Sequence, residues 1–93
     1  MKYVVRFTSK FKKNYRKMQK RGLKIEKIDE IVDRLRNGEK LASKHKDHIL
    51  KGDFDGYHEC HIESDWLLIY KIQDDVLILT LVDTGSHADL FKM

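Results

Sequence analysis

The sequence predicts an α+β domain in which a helical hairpin packs on an antiparallel sheet, in the order β-α-α-β-β-β. Two observations predict it. The N-terminal half holds two segments whose apolar residues recur with the helical period, and the C-terminal half holds three strand-like runs separated by short turns. Segregated helices and strands are typical of α+β domains. The 93 residues fit one domain, 1–93, with one modest core.

The chain begins with a predicted strand and helix. Residues 3–7 (YVVRF) are mostly β-branched or aromatic, and Thr8 or Ser9 then supplies a helix N-cap. The spacing of the following apolar residues predicts a helix over 9–21 that stops near Gly22. The residues with this i, i+4, i+7 spacing are Phe11, Tyr15 and Met18.

A second helix is predicted from Leu23 to Asn37, and the short link between the helices favours a hairpin. Its apolar face consists of Ile28, Ile31, Val32 and Leu35. Residues 39–56 follow neither period and are predicted to form an extended loop. A loop of that length is uncommon in a small domain unless it has a function.

The second half of the chain is predicted to form an antiparallel set of strands. The strands are residues 57–63, 66–72 and 76–82, and the intervening turns are Ser64–Asp65 and Asp74–Asp75. After them, the spacing of Ser and Asp in SHAD is that of a capping box, which predicts a short C-terminal helical turn.

Charge is distributed unevenly along the chain. Residues 1–51 hold 17 of the 19 Lys and Arg residues against 6 acidic ones, a net charge of +11, whereas residues 52–93 carry −7. A basic half of this kind attracts polyanions such as nucleic acid. The alternative is that these lysines only keep the exposed faces of helices solvated. The single cysteine, Cys60, suits a reducing cytoplasm, and no apolar run is long enough to span a membrane.

Histidine is abundant, and the five residues cluster in the loop, in one strand and near the C-terminus: His45, His48, His58, His61 and His87. A zinc site built on His58 and His61 is disfavoured, because residues three apart on a strand face opposite sides. Cys60 is predicted to point into the core, which disfavours a Cys–His nucleophile. Acid–base chemistry suits the histidines better than metal binding or nucleophilic catalysis does, because imidazole gains and loses its proton near neutral pH.

Period-2 alternation places His61 on one sheet face with Tyr57, Glu59 and Glu63. This face next to a basic loop suits a binding groove, but an ordinary solvated sheet face has the same pattern. Asp65 in the adjacent turn is suited to orienting a histidine, but aspartate is also a preferred turn residue without any further role.

Four motifs follow one another with characteristic gaps: KDH, CHI, DWLLIY and TGSHADLF. Their order resembles the YafQ-like branch of the RelE/ParE toxin superfamily. The similarity covers residues 46–91 closely, and the preceding strand and helices match in length and pattern only. The resemblance implies a RelE/ParE-like fold and a cytoplasmic toxin of a type II toxin–antitoxin module.

The resemblance also implies an activity and partners. Such toxins enter the ribosomal A site, contact rRNA, and cleave mRNA without a metal or other cofactor. The ribose 2′-hydroxyl attacks the adjacent phosphate, which leaves a 2′,3′-cyclic phosphate and a 5′-hydroxyl. The implied antitoxin is a DinJ-like ribbon-helix-helix protein, through which the complex binds operator DNA.

By position, the resemblance implies catalytic roles for four residues: His48, His61, Asp65 and His87. We assign His87 as the acid and His48 or His61 as the base, with Asp65 fixing the tautomer of its partner. Phe91 is implied to hold the substrate.

Two positions depart from the family pattern. The family usually has arginine immediately before TGSH and before ECH, where this chain has Asp83 and His58. Arginine is suited to holding the charge of a phosphorane, and loss of one such contact commonly costs a factor of ~10²–10³ in rate. The substitutes available nearby are three lysines: Lys46, Lys51 and Lys71.

These departures leave three hypotheses open. The first is an active ribosome-dependent endonuclease, and the second is a weakened or inactive member that acts mainly as an antitoxin-binding partner and co-repressor. A gyrase inhibitor on the same fold is the third, and the histidine set disfavours it.

Overall fold

A computed structural model describes residues 2–52 and 56–91. Its elements in chain order are β1 (Val4–Phe7), α1 (Ser9–Lys20), α2 (Glu26–Arg36), a 3₁₀ turn (Ser43–His45), β2 (His48–Ile49), β3 (His58–Glu63), β4 (Trp66–Gln73), β5 (Ile78–Gly85) and α3 (His87–Phe91). The predicted α+β class and the order of the predicted elements are confirmed, and the structure adds β2 and the 3₁₀ turn.

The five strands form one sheet in the order β1-β5-β4-β3-β2. Strands β3, β4 and β5 pair antiparallel, as predicted, and the unpredicted β2 pairs antiparallel with β3. Strand β1 instead pairs parallel with β5, with Val4 opposite Ile78. The sheet is therefore mixed at one edge. Alternation within residues 3–7 does not encode the direction of a partner that lies more than 70 residues later in the chain.

Both helices begin and end where local signals place them, with one shift. Thr8 is the N-cap of α1, and its hydroxyl accepts from the backbone N–H of Phe11 at 2.9 Å. Gly22, at φ +84°, lies in the link between the helices. Helix α2 begins at Glu26 instead of Leu23, because residues 21–25 form this link.

The sheet separates two hydrophobic clusters. The larger one joins the helices to one face, and its fully buried side chains are Met18, Ile28, Cys60, Leu68, Tyr70, Leu79 and Leu81. The smaller one contains Leu67, Ile69 and Leu90, with Tyr57, Val82 and Phe91 packed against it. The smaller cluster is the apolar floor beside which the predicted site residues lie.

The predicted loop 39–56 has more structure than expected. Residues 53–55 lie outside the described residues. The rest contains the 3₁₀ turn and β2, which pairs His48 with Glu59 of β3. Two residues are too few to show a period, so the sequence did not reveal this strand. No helix among the described ranges has the length and apolar character needed to cross a membrane.

Candidate active site

The candidate site is formed where β2, β3, the β3–β4 turn and α3 meet. The structure brings together the four predicted catalytic residues, His48, His61, Asp65 and His87. The ring centroids of His61 and His87 are 5.8 Å apart, and His87 contacts Asp65 at 2.7 Å. His48 joins the group through Glu59, its partner on β3.

Asp65 is the partner of His87. Its Oδ1 accepts from the backbone N–H of His87 at 3.1 Å and from Nδ1 at 2.7 Å. The hydrogen bond from the His87 backbone, and to a lesser extent the one from its ring, hold the pKa of Asp65 below its usual value. Because Nδ1 donates to the carboxylate, Nε2 is the nitrogen of His87 that remains for proton transfer.

The turn that carries His87 is fixed by a capping box, as the sequence predicted. The Ser86 hydroxyl accepts from the Asp89 backbone at 3.1 Å, and the Asp89 carboxylate accepts from the Ser86 backbone at 3.0 Å. Arg21 donates to the same carboxylate at 3.0 Å, and chiefly this contact lowers the pKa of Asp89 to about 2. Gly85 approaches closely, since a Cβ there would lie 2.9 Å from that of Asp89.

Glu59 lies at the centre of the site, although the sequence pattern predicted for it only a place on the polar sheet face and no catalytic role. The residue is 5% exposed, and its Oε1 lies 3.4 Å from Nε2 of His48 and 3.9 Å from Nε2 of His61. Its alternation with His61 was visible in the sequence. Its burial was not, because β2 covers it and β2 was not predicted.

Three side chains form a group that we call the donor cluster: Glu59, His61 and His87. Each offers one ligand atom, and these atoms lie within 4.8 Å of one another. Two imidazoles and a carboxylate suit Zn²⁺ or Cu²⁺. The pair disfavoured from spacing, His58 and His61, indeed points to opposite faces, since His58 stacks on the core residue Tyr70.

Of the remaining predicted binding residues, Phe91 contacts the site directly and the three lysines lie on neighbouring segments. The Phe91 ring centroid is 6.4 Å from that of His87. Lys71 lies over the Tyr57 ring with its Nζ 5.7 Å from the centroid, and Lys51 is exposed just after β2. Lys46 has a left-handed backbone, with φ +46°, and its carbonyl accepts from His48 Nδ1 at 2.7 Å.

Asp83 lies beneath α1, where it has three polar contacts. Its carboxylate accepts from Asn14 Nδ2 at 2.6 Å and from the Thr84 backbone at 2.8 Å, and Lys10 Nζ lies 3.4 Å away. The Asp83 side chain is only 6% exposed. The negative charge at this position thus pairs with the first helix of the chain.

Comparison with known proteins finds similarity along nearly the whole chain. Residues 3–92 match the family model described as the bacterial toxin of the type II toxin–antitoxin system, YafQ. The chain is 35% identical over 88 residues to the mRNA interferase toxin YafQ of Escherichia coli K12, with 94% of each chain covered.

Two solved structures share the fold at similar identity. The E. coli DinJ–YafQ toxin–antitoxin complex superposes with a TM-score of 0.89 at 34% identity, covering 98% of this chain and 99% of that one. A metal-bound toxin from Helicobacter pylori gives 0.90 at 36%, covering 98% and 100%. Matched along nearly its whole length by family model, relatives and structures, the chain belongs to the YafQ family of bacterial type II toxin–antitoxin toxins.

Proposed function

We propose that this toxin is a ribosome-dependent mRNA endonuclease that uses metal-independent acid–base catalysis. The observation that carries the proposal is the convergence of three histidines with two carboxylates beside an apolar floor. The name mRNA interferase, which the E. coli relatives bear, supports the substrate class.

In the proposed reaction, His48 or His61 takes the proton of a ribose 2′-hydroxyl. The 2′-oxygen then forms a bond to the adjacent phosphorus while the bond to the 5′-oxygen breaks. His87 donates the proton that this leaving oxygen needs, through Nε2. The products are a 2′,3′-cyclic phosphate and a 5′-hydroxyl, so protons and bonds balance.

The carboxylates have separate roles in this scheme. Asp65 holds His87 through Nδ1 and stabilises its cationic form, which a general acid requires. Glu59 faces Nε2 of both His48 and His61 and so stabilises whichever ring has taken the proton. Glu59 Oε1 lies 3.4 Å from Nε2 of His48 and 3.9 Å from Nε2 of His61, so both rings are candidates for the base.

Substrate contacts are proposed for the surrounding residues. Phe91 would stack on a base beside the scissile phosphate. Lys46, Lys51 and Lys71 would supply the positive charge that the family usually takes from arginine. The exposed cations of α1 suit rRNA phosphates. They are Lys10, Lys12, Lys13, Arg16, Lys17 and Lys20.

We also propose a DinJ-like ribbon-helix-helix antitoxin as the partner, with operator DNA bound through the complex in the cytoplasm. A groove of about 550 Å³ runs between α1, α2 and β1. Its apolar walls include Phe7, Phe11, Tyr15 and Val32. Three cations line it against two aspartates: Lys12, Arg16 and Arg36 against Asp29 and Asp33. An amphipathic acidic segment would complement this surface.

The alternative is a weakened or inactive member that mainly binds antitoxin and represses transcription. Asp83 and His58 favour it, because neither supplies the cation that a phosphorane needs.

Mapping of mRNA ends on translating ribosomes tests the proposal. Purified protein should produce new 5′-hydroxyl ends that disappear in His87→Gln, while antitoxin binding persists in both forms. Tight antitoxin binding without any new ends in the unmodified protein would select the alternative. New ends that persist unchanged in His87→Gln would refute the acid–base assignment.

A further inference from the structure

Neighbouring residues Asp47 and His48 point to opposite faces of the sheet. His48 faces Glu59 in the candidate site. The Asp47 carboxylate instead accepts from the Tyr70 hydroxyl at 2.5 Å and lies 3.8 Å from Nδ1 of His58. Tyr70 is fully buried in the larger cluster, so a core side chain holds the residue next to His48.

Backbone pairing alone holds this segment weakly. Strand β2 has two residues, both exposed, and it lies at the edge of the sheet. So short an edge strand frays easily. The position of His48 therefore depends on side-chain anchors around it.

Two further contacts complete the anchoring. His45 Nδ1 donates to the backbone carbonyl of His61 at 2.7 Å, which ties the 3₁₀ turn to β3. Between the anchors, Lys46 adopts its left-handed conformation and presents its carbonyl to Nδ1 of His48. This bond leaves Nε2 of His48 as the nitrogen that faces the site.

We propose that Tyr70 and Asp47 are positioning residues, whose hydrogen bond through the sheet holds His48 in the orientation for proton transfer. The inference rests on the proposed function only for its kinetic consequence, because the orientation of His48 is measurable without substrate. The arrangement couples the rigid core to the least supported strand of the site. A misplacement near 1 Å at a reacting group costs up to about 10²-fold in rate.

The donor in this bond persists at every pH at which histidines titrate. Burial, and then the hydrogen bond to Asp47, raise the pKa of Tyr70 above its usual value. The phenol therefore stays protonated, and the anchor is constitutive.

Tyr70→Phe deletes only the hydroxyl and tests the proposal in the full chain. The matched control is Tyr3→Phe, which removes a tyrosine–aspartate hydrogen bond to Asp74 at the opposite edge of the sheet. Asp47→Ala and Asp47→Asn form a second pair, since asparagine retains an oxygen acceptor and alanine does not. Asp47 is exposed, so its variants should fold even if the Tyr70 variant is destabilised.

Two readouts separate positioning from stability. Imidazole chemical shifts of His48 and His87 are followed by NMR, and single-turnover cleavage is measured on programmed ribosomes at saturating and limiting concentrations. In Tyr70→Phe and Asp47→Ala, the His48 signals should shift or broaden while those of His87 stay unchanged. The maximal rate should fall by about 10-fold or more with unchanged half-saturation, and Asp47→Asn should recover part of it.

The NMR result stands even if the unmodified protein cleaves nothing, so failure of the proposed function is distinguishable from failure of this inference. His48 signals identical to wild type in Asp47→Ala would overturn the inference. So would a maximal rate unchanged in folded Tyr70→Phe, provided that the unmodified protein is active.

Discussion

Removal of the Asp83 carboxylate should destabilise the fold substantially. In Asp83→Ala, the Thr84 backbone N–H and the Asn14 amide lose their acceptor. Asp83 is 4% exposed, so water cannot readily replace it. An unsatisfied buried donor costs about 1–3 kcal/mol, and two of them predict a loss of about 2–6 kcal/mol. This is a large part of the roughly 5–15 kcal/mol that stabilises a small domain.

Urea denaturation followed by circular dichroism measures the loss as the change in the free energy of unfolding. Lys10→Met is the control, because the lysine side chain is 70% exposed and its ion pair should contribute no more than about 1 kcal/mol. Asp83→Arg should be at least as destabilised as Asp83→Ala, since it adds a cation beside Lys10. A loss below about 1 kcal/mol in Asp83→Ala would refute this reasoning.

Three further outcomes are expected. Gly85→Ala should cost about 1–3 kcal/mol by unfolding assay and slow cleavage, because its Cβ would meet Asp89 at 2.9 Å; unchanged values would contradict the close approach. Because the folded-state pKa of Asp89 is lowered to about 2, its pair with Arg21 stabilises the fold above about pH 4. The advantage of wild type over Arg21→Gln should be no more than about 1 kcal/mol, and it should vanish as pH falls from about 4 to 2 in acid unfolding curves. Zn²⁺ should bind the donor cluster, as measured by calorimetry, and should inhibit cleavage, and EDTA should reverse the inhibition. If His61→Ala bound Zn²⁺ equally well, the donor cluster would be excluded as the binding site.

Local signals predicted the elements of the fold well. The capping box of Ser86 and Asp89, the N-cap at Thr8 and the apolar period of α1 are all encoded within a few residues, and the structure contains each. The parallel pairing of β1 with β5 joins distant segments, so no local pattern reports it. Strand β2 was missed because pairing with β3, and not its own residues, makes it a strand.

The residues of the candidate site could likewise be predicted only in part from the sequence. Motif order pointed to His48, His61, Asp65 and His87, and the structure places them around one centre. The burial of Glu59 arises from tertiary packing, which a strand pattern does not contain. The bond from Tyr70 to Asp47 crosses between elements and is likewise invisible in the sequence.

The parallel pairing of β1 with β5 has a consequence for biosynthesis. During translation β1 emerges early, but its partner exists only after residues 78–81 have been added. Contacts of such long sequence separation form slowly and late in folding. The segment with His87 follows β5 immediately, so a partly made chain lacks both the closed sheet and the proposed acid. Synthesis order alone thus delays any toxic activity until nearly the whole domain has been translated.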